Sequence, residues 1–234
     1  MLRFVKKELL DELPPADPLA VGSRGDLRRI NGIMGHAGFF ARTFYKHLQK
    51  KSADSQPLRI CELGAGDGTL LLKIARRLSA SGTSAQVTMV DRQELVSEKS
   101  RSEFATLNWP VENAAADVFD WLQQPLPPAD VMLANLFLHH FQNDALQKLL
   151  RLASKKTSLF IACEPRRSTP ALVAARLVGL IGCNAVTRHD AVASVRAGFS
   201  GGEISALWPA NEGWQLHESR AGFFSHGFVA KRNV

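Results

Sequence analysis

The sequence has few cysteines. Cys61, Cys163 and Cys183 form no CxxC pair and have no obvious metal partner nearby, so neither a disulfide framework nor a thiolate metal site is expected. Cys61 and Cys163 fall in apolar runs and read as small core residues. Long apolar stretches are also missing. The longest candidate, Pro170–Gly182, falls short of the roughly 18 residues a membrane span needs and contains Arg176. The first ten residues carry Arg3, Lys6, Lys7 and Glu8 in place of the apolar stretch of a signal peptide, and a cytoplasmic protein is expected. There is no internal repeat, no low-complexity tract and no block of five or more Lys/Arg. The formal net charge is +7, but residues 1–59 hold 11 Lys/Arg against 6 Asp/Glu and the rest is close to balanced. Basic residues are not interleaved with aromatics, so a nucleic-acid platform is not expected.

What is present is an ordinary globular composition, 45% hydrophobic and 22% charged. Residues 1–55 read as a mostly helical cap, with a break at Leu13–Pro18 and amphipathic helices over Asp26–Met34 and Phe39–Lys50 separated by Gly35–Gly38. From residue 56 strands alternate with helices. Strands are expected at Leu58–Leu63, Gln86–Val90, Val111–Ala116, Asp130–Ala134 and Thr157–Cys163. Helices are expected at Thr69–Leu78, Glu94–Leu107 and Asp144–Ala153. This pattern implies an α/β domain with a parallel sheet covered on both faces. Residues 165–205 form a helical insertion. Its first helix is read as capped by Thr169 with Pro170 following, and its second as opened by a Thr187-x-x-Asp190 capping box and running to about Ala197. Residues 206–234 end in an antiparallel hairpin, Trp214–Glu218 with Phe223–Lys231.

The chemistry concentrates at strand ends. Glu62-Leu63-Gly64-Ala65-Gly66-Asp67-Gly68-Thr69 links the first strand to a helix. Glycines there allow a sharp turn and close approach of a ligand to the backbone. The spacing is GxGxG, not the GxGxxG of a dinucleotide fold, and an acidic residue precedes it. That carboxylate suits a ligand carrying an ammonium and a sulfonium better than a pyrophosphate. Asp91 ends the second strand, where it can accept ribose hydroxyls. Asp117 follows the third and can accept from an adenine amino group, with Val118 and Phe119 along the ring. A strand-end aspartate can equally be a helix cap.

This order of residues, with Asn135 after the fourth strand, resembles the class I S-adenosylmethionine-dependent methyltransferases over residues 57–164. The resemblance implies a Rossmann-like, mostly parallel seven-stranded sheet whose last strand is antiparallel. It also implies S-adenosylmethionine as cofactor, held by Glu62, Gly64, Ala65, Gly66, Gly68, Asp91, Arg92, Asp117, Val118 and Asn135. Gly25–Asn31 (GDLRRIN) and Arg188–Arg196 (RHDAVASVR) are similar to segments of bacterial methyltransferases that accompany type III polyketide synthases, which implies a phenolic or quinoid acceptor. Leu138-His139-His140-Phe141 and the amphipathic helix after it resemble the His-Asp-Trp segment of plant-type small-molecule O-methyltransferases. In that register His139 takes the place of the catalytic base. It can also be a histidine packed under the cofactor.

Asn135-Leu136-Phe137-Leu138 lacks the Asn-Pro-Pro-Tyr pattern of amino methylation, and Cys163 has no second cysteine to support pyrimidine methylation. O-methylation of a small aromatic acceptor is therefore the expected reaction. An RNA-modifying methyltransferase and a non-catalytic cofactor-binding subunit are the alternatives. His140, Arg166, Arg188, His189 and His226 are candidate acceptor-binding residues. Phe39, Phe40, Phe44, Phe199, Trp208, Phe223 and Phe224 are candidate walls of an apolar pocket. No metal site is expected, and monomer and homodimer stay open.

Overall fold

The structure is a computed structural model and describes residues 1–48, 56–209 and 213–233. Its frame is a seven-stranded sheet of β1 (Leu58–Leu63), β2 (Ala85–Asp91), β3 (Val111–Ala115), β4 (Ala129–Asn135), β5 (Thr157–Pro165), β6 (Trp214–Arg220) and β7 (Ser225–Arg232), in the order β3-β2-β1-β4-β5-β7-β6. The first five strands are mutually parallel, and β7 runs antiparallel between β5 and β6. The strand order reverses at β1, between β2 and β4, which opens a crevice at the carboxyl ends of these strands. Registers such as Leu63↔Val90, Leu63↔Ala134 and Asp91↔Ala115 bring the ends of β1 to β4 to one edge.

Alternation of side chains along each strand divides the core in two. Ile60 of β1 and Leu159 and Ile161 of β5 join one cluster, and Cys61, Leu63, Phe160 and Ala162 join the other. The first cluster is covered by α2 (His36–His47), α3 (Thr69–Ser79) and α4 (Glu98–Thr106); the second by α5 (Val118–Gln123), α6 (Asn143–Ser154) and α9 (Glu203–Leu207). In α3, Leu71, Ile74, Ala75 and Leu78 recur at helical spacing and are buried. Each Leu or Ile buried this way contributes about 1.5–3 kcal/mol. The remaining helices, α1 (Pro18–Met34), α7 (Thr169–Leu177) and α8 (Ala185–Ala197), lie outside this frame, with a 3-10 turn at Val178–Ile181.

Several boundaries differ from those expected. α1 begins eight residues before Asp26, because Asp17 accepts from Leu19 N at 2.8 Å and Pro18 takes the first helical position. Gly22 of this helix lies against the chain at Asn184: a Cβ there would sit 3.0 Å from Asn184 Nδ2. α2 begins at His36, since Gly35 alone, at φ +70°, makes the break. The expected continuation of this helix beyond Leu48 falls outside the described residues. α7 is capped by Ser168, not Thr169, and α8 by Asn184, whose side chain accepts from Thr187 N, not by Thr187. α5 and α9, of six and five residues, are too short for a helical period to be read.

Candidate active site

Two adjoining clefts open at the carboxyl edge of the sheet, of about 820 and 510 Å³. The larger runs from Glu62, Gly64, Ala65 and Gly66 to Asn135, under α1 residues Arg24, Leu27, Arg28 and Asn31. The smaller holds Asp117, Val118, Phe137, His140 and Phe141 beneath residues 5–12. Gly64, Asp91, Arg92 and Leu136 border both.

The glycine turn has the backbone that its residue types suggest. Gly64, Gly66 and Gly68 have φ of +67°, +55° and +72°. At Gly64 a Cβ would fall 2.2 Å from Phe137 Cδ2, so the ring of Phe137 requires the glycine. Gly66 faces open space, with no atom within 4 Å of its would-be Cβ. Gly68 lines neither cleft: a Cβ there would press on Met89, and its role is to start α3 against β2. Asp91 fixes the turn through Gly66 N→Oδ2 and Gln93 N→Oδ1, both 2.9 Å. Asp117 caps α5 by accepting from Phe119 N at 2.8 Å while bordering the smaller cleft, so cap and cleft positions coincide.

The inner wall of the larger cleft has unmet hydrogen-bonding demand. Glu62 is 2% exposed and its Oε2 has no hydrogen-bond partner; Asn135 Oδ1 and Asn31 Oδ1 have none either. Burial pushes the Glu62 carboxyl well above its usual range, and the carboxylates of Asp67 and Asp91 push it further. The unpartnered Oε2 of Glu62 and Oδ1 of Asn31, with the carboxylates of Asp67 and Asp91 acting on Glu62, fit a ligand that brings N–H groups and positive charge to this wall. The residues present thus fit the amino-acid end of S-adenosylmethionine.

His139 has a different place from the one expected. It is 3% exposed and lines neither cleft. Its Nδ1 pairs with Glu164 Oε2 at 2.8 Å and its Nε2 with Glu8 Oε1 at 3.2 Å. Although burial alone would lower it, these two carboxylates raise its pKa to about 9. Glu8 is held down at about 2 against its own burial, chiefly by His139. With both nitrogens engaged by carboxylates and no place in either cleft, His139 has the geometry of an ionic clasp rather than that expected of a base.

Glu164, fully buried, also accepts from Phe137 N and Leu138 N and so fixes the turn after β4. The clasp ties residues 1–12 to the core, helped by Leu9 N and Leu10 N donating to Asp190 and by Arg3 donating to Ala197 O and Phe141 O. Sequence reasoning missed Glu8 and Glu164, whose pairing joins positions 131 and 25 residues from His139. It also missed His36, which is buried with Nε2 2.8 Å from Ser225 Oγ. Burial presses the His36 pKa down to about 4, with Asn135 and Glu164 pulling the other way. Among the described residues, Glu8, His139 and His140 are the one group whose potential metal-ligand atoms lie within 4.8 Å of each other, and the Glu8–His139 pair already occupies it.

Of the acceptor candidates only His140 borders a cleft, with Nδ1 3.3 Å from Asp11. Arg166 lies in a bridge to Phe199, Arg188 is exposed on α8 over Gly179, and His189 pairs with Asp190 at 2.8 Å. His226 is 5% exposed and bonded to Glu218 in the β6–β7 hairpin. None of these four lines either cleft. The aromatic wall is likewise corrected: Phe40, Phe44, Phe199 and Trp208 are core, Phe39 packs beside Gly227, and Phe223 is 88% exposed and Phe224 partly so. No residue of 165–205 lines either cleft. α1 and residues 5–12 form the wall, and α8 buttresses α1 through Asp26, which accepts from Asn184 N and Thr187 Oγ1.

The strand order with a reversed β7, the GxGxG turn and the acidic strand ends define a class I methyltransferase fold. Residues 60–157 match the family described as methyltransferase domain. That match covers 98 of the 234 residues. No curated protein sequence matches the chain. Among solved structures it is similar to a protein of Nostoc punctiforme PCC 73102 assigned to the O-methyltransferases, with 15% identity and a TM-score of 0.61 over 99% of this chain and 64% of that one. It is similar to the plantazolicin methyltransferase BamL, crystallised with a desmethyl analogue and S-adenosylhomocysteine, at 13% identity and a TM-score of 0.63 over 95% and 92% of the two chains. It is also similar to the mitomycin 7-O-methyltransferase MmcR, at 18% identity and a TM-score of 0.60 over 96% and 60%. The chain therefore spans under two thirds of the Nostoc protein and of MmcR. No helix among the described residues is long and apolar enough to cross a membrane.

Proposed function

We propose that the protein transfers a methyl group from S-adenosylmethionine to a hydroxyl oxygen of a small aromatic acceptor. The observation that carries this reading is the buried, unpartnered Oε2 of Glu62 beside the positive-φ glycine turn. When bound, the cofactor supplies an electrophilic methyl group on a sulfonium. Glu62 and Asn135 hold its ammonium end, Gly64–Gly66 let it lie against the backbone, and Asp91 accepts from the ribose. Asp117, Val118 and Phe141 enclose the adenine in the smaller cleft. Ala65 and Arg92 border the same path. The remainder of the larger cleft, under α1, receives the acceptor. Its size lies in the range of small-molecule pockets.

The chain's work is alignment and exclusion of water. Residues 1–48 form the lid, clasped by Glu8 and His139, and residues 165–205 brace it from behind. With His139 committed to the clasp, the acceptor loses its proton without that imidazole. The natural-product methyltransferases among the similar structures support a role in secondary metabolism and a small acceptor rather than RNA. The test is a turnover screen over phenols, quinols, carboxylates and bulk RNA, reading S-adenosylhomocysteine. Turnover confined to phenols or quinols is expected. Turnover confined to RNA, falling steeply with salt, would replace this reading.

A further inference from the structure

The outer face of α7 and the turn after it has an apolar stripe without a partner among the described residues. Val173, Leu177, Leu180 and Ile181 are 48%, 51%, 82% and 51% exposed. Val173 and Leu177 stand one turn apart on α7, and Leu180 and Ile181 carry the exposed apolar surface on into the 3-10 turn. The opposite side fully buries only the small residues Ala171 and Ala175, against Val195, with Leu172 partly buried beside them. The amphipathic pattern is thus inverted: the larger side chains point away from the protein. α1 adjoins this region, since Asn184 Nδ2 donates to Leu19 O at 2.9 Å, and the Leu19 side chain is itself 50% exposed.

Charge identifies the occupant. Between Pro165 and His189 the sequence has no Asp or Glu, and it has Arg176 and Arg188 on exposed positions. Neither arginine forms an ion pair among the described residues. Two copies of this face would bring arginines against arginines. A surface that is apolar inside and anionic at its rim satisfies both features at once. We infer that α7 and the Val178–Ile181 turn dock this protein on an anionic lipid bilayer, with Leu177, Leu180 and Ile181 entering the interface and Arg176 and Arg188 against the headgroups. Docking of this face requires nothing of the acceptor or of catalysis. It would place one end of α1 at the bilayer, while residues Leu27 and Asn31 of the same helix line the larger cleft.

The experiment is sedimentation of the full chain with vesicles of phosphatidylcholine alone and of phosphatidylcholine with roughly one third phosphatidylglycerol. Binding to the anionic vesicles only, weakening with salt, is expected. The double variant Leu180→Asp/Ile181→Asp should lose that binding while keeping the wild-type circular dichroism. Arg176→Gln and Arg188→Gln should each lower partitioning about fivefold. Absence of binding to anionic vesicles overturns the inference. So does undiminished binding of the double variant, which would assign the membrane contact to the basic N-terminal region. A wild-type dimer that the double variant dissociates also overturns it, by making this face a contact between copies.

Discussion

Replacing Glu8 by alanine removes one side of the clasp on His139. In the wild type the imidazole is raised from its ordinary 6.5 to about 9 by Glu164 and Glu8 together. A shift of that size corresponds to roughly 3 kcal/mol favouring the folded protein at acidic pH, shared between Glu164 and Glu8, since one pKa unit is about 1.4 kcal/mol. The lowered pKa of Glu8 expresses the same interaction from the other side, so the two are not added. Glu8 supplies the longer of the two contacts, 3.2 Å against 2.8 Å, so Glu8→Ala should weaken attachment of residues 1–12 by about 1–2 kcal/mol.

The pH dependence has a definite sign. A group with a raised folded pKa stabilises fully below its unfolded value, and the effect is lost as pH rises through the folded value. The His139 contribution is therefore complete below about 6.5 and gone above about 9. The Glu8 contribution is complete above about 4.5 and lost as pH falls through about 2. Attachment is tightest between these limits. Hydrogen exchange of the segment 3–10, corrected for intrinsic rates, should show protection falling between pH 6.5 and 9 in the wild type and already reduced about tenfold at pH 6 in Glu8→Ala. Equal protection in both proteins, or protection that grows with pH, would refute the clasp.

Three further outcomes follow from the same geometry. His139→Gln should lower thermal stability and loosen residues 1–12, while kcat for a phenolic acceptor falls less than about tenfold; a loss of about 10²–10⁴-fold with stability intact would restore the general base. Asp91→Ala should weaken cofactor binding by about 1–3 kcal/mol in calorimetry, and unchanged affinity would leave Asp91 only as the anchor of Gly66 N. Gly64→Ala should unfold or strongly destabilise the protein in a melting experiment, because its Cβ meets Phe137. Gly66→Ala should cost only about 1–2 kcal/mol of backbone strain yet abolish cofactor binding, and a reversed order would contradict the turn described.

The sheet was legible because it rests on local signals. β4 and β5 carry continuous apolar runs at Val131–Ala134 and Leu159–Cys163, β1 is apolar apart from Arg59 and Glu62, and α3 and α6 have buried residues at helical spacing. The glycine turn was legible because left-handed backbone needs residues without a Cβ, and three of them stand at fixed offsets. The start of α1 was hidden because Gly22 and Gly25 weaken the helical signal, while the contact that compensates, with Asn184, lies 162 residues away for Gly22. The role of His139 was hidden for the same kind of reason. Its position after β4 invites a chemical reading, and nothing nearby in sequence announces that Glu8 and Glu164 close on both of its nitrogens. Arg166, Arg188, His189 and His226 are polar side chains near the right elements. Only the path of the chain shows that they point to bridges, solvent or strand partners rather than to the clefts.

The most direct test of the account is titration of the full chain with S-adenosylmethionine, and separately with NADH, by calorimetry in buffers of different ionisation enthalpy. Burial and two neighbouring carboxylates raise the pKa of Glu62 in the free protein, and a bound cation should let it ionise. Binding of S-adenosylmethionine with net proton release as pH falls below the raised Glu62 value is expected, with loss of that release in Glu62→Gln and no heat from NADH. Binding of NADH with no response to S-adenosylmethionine would contradict it.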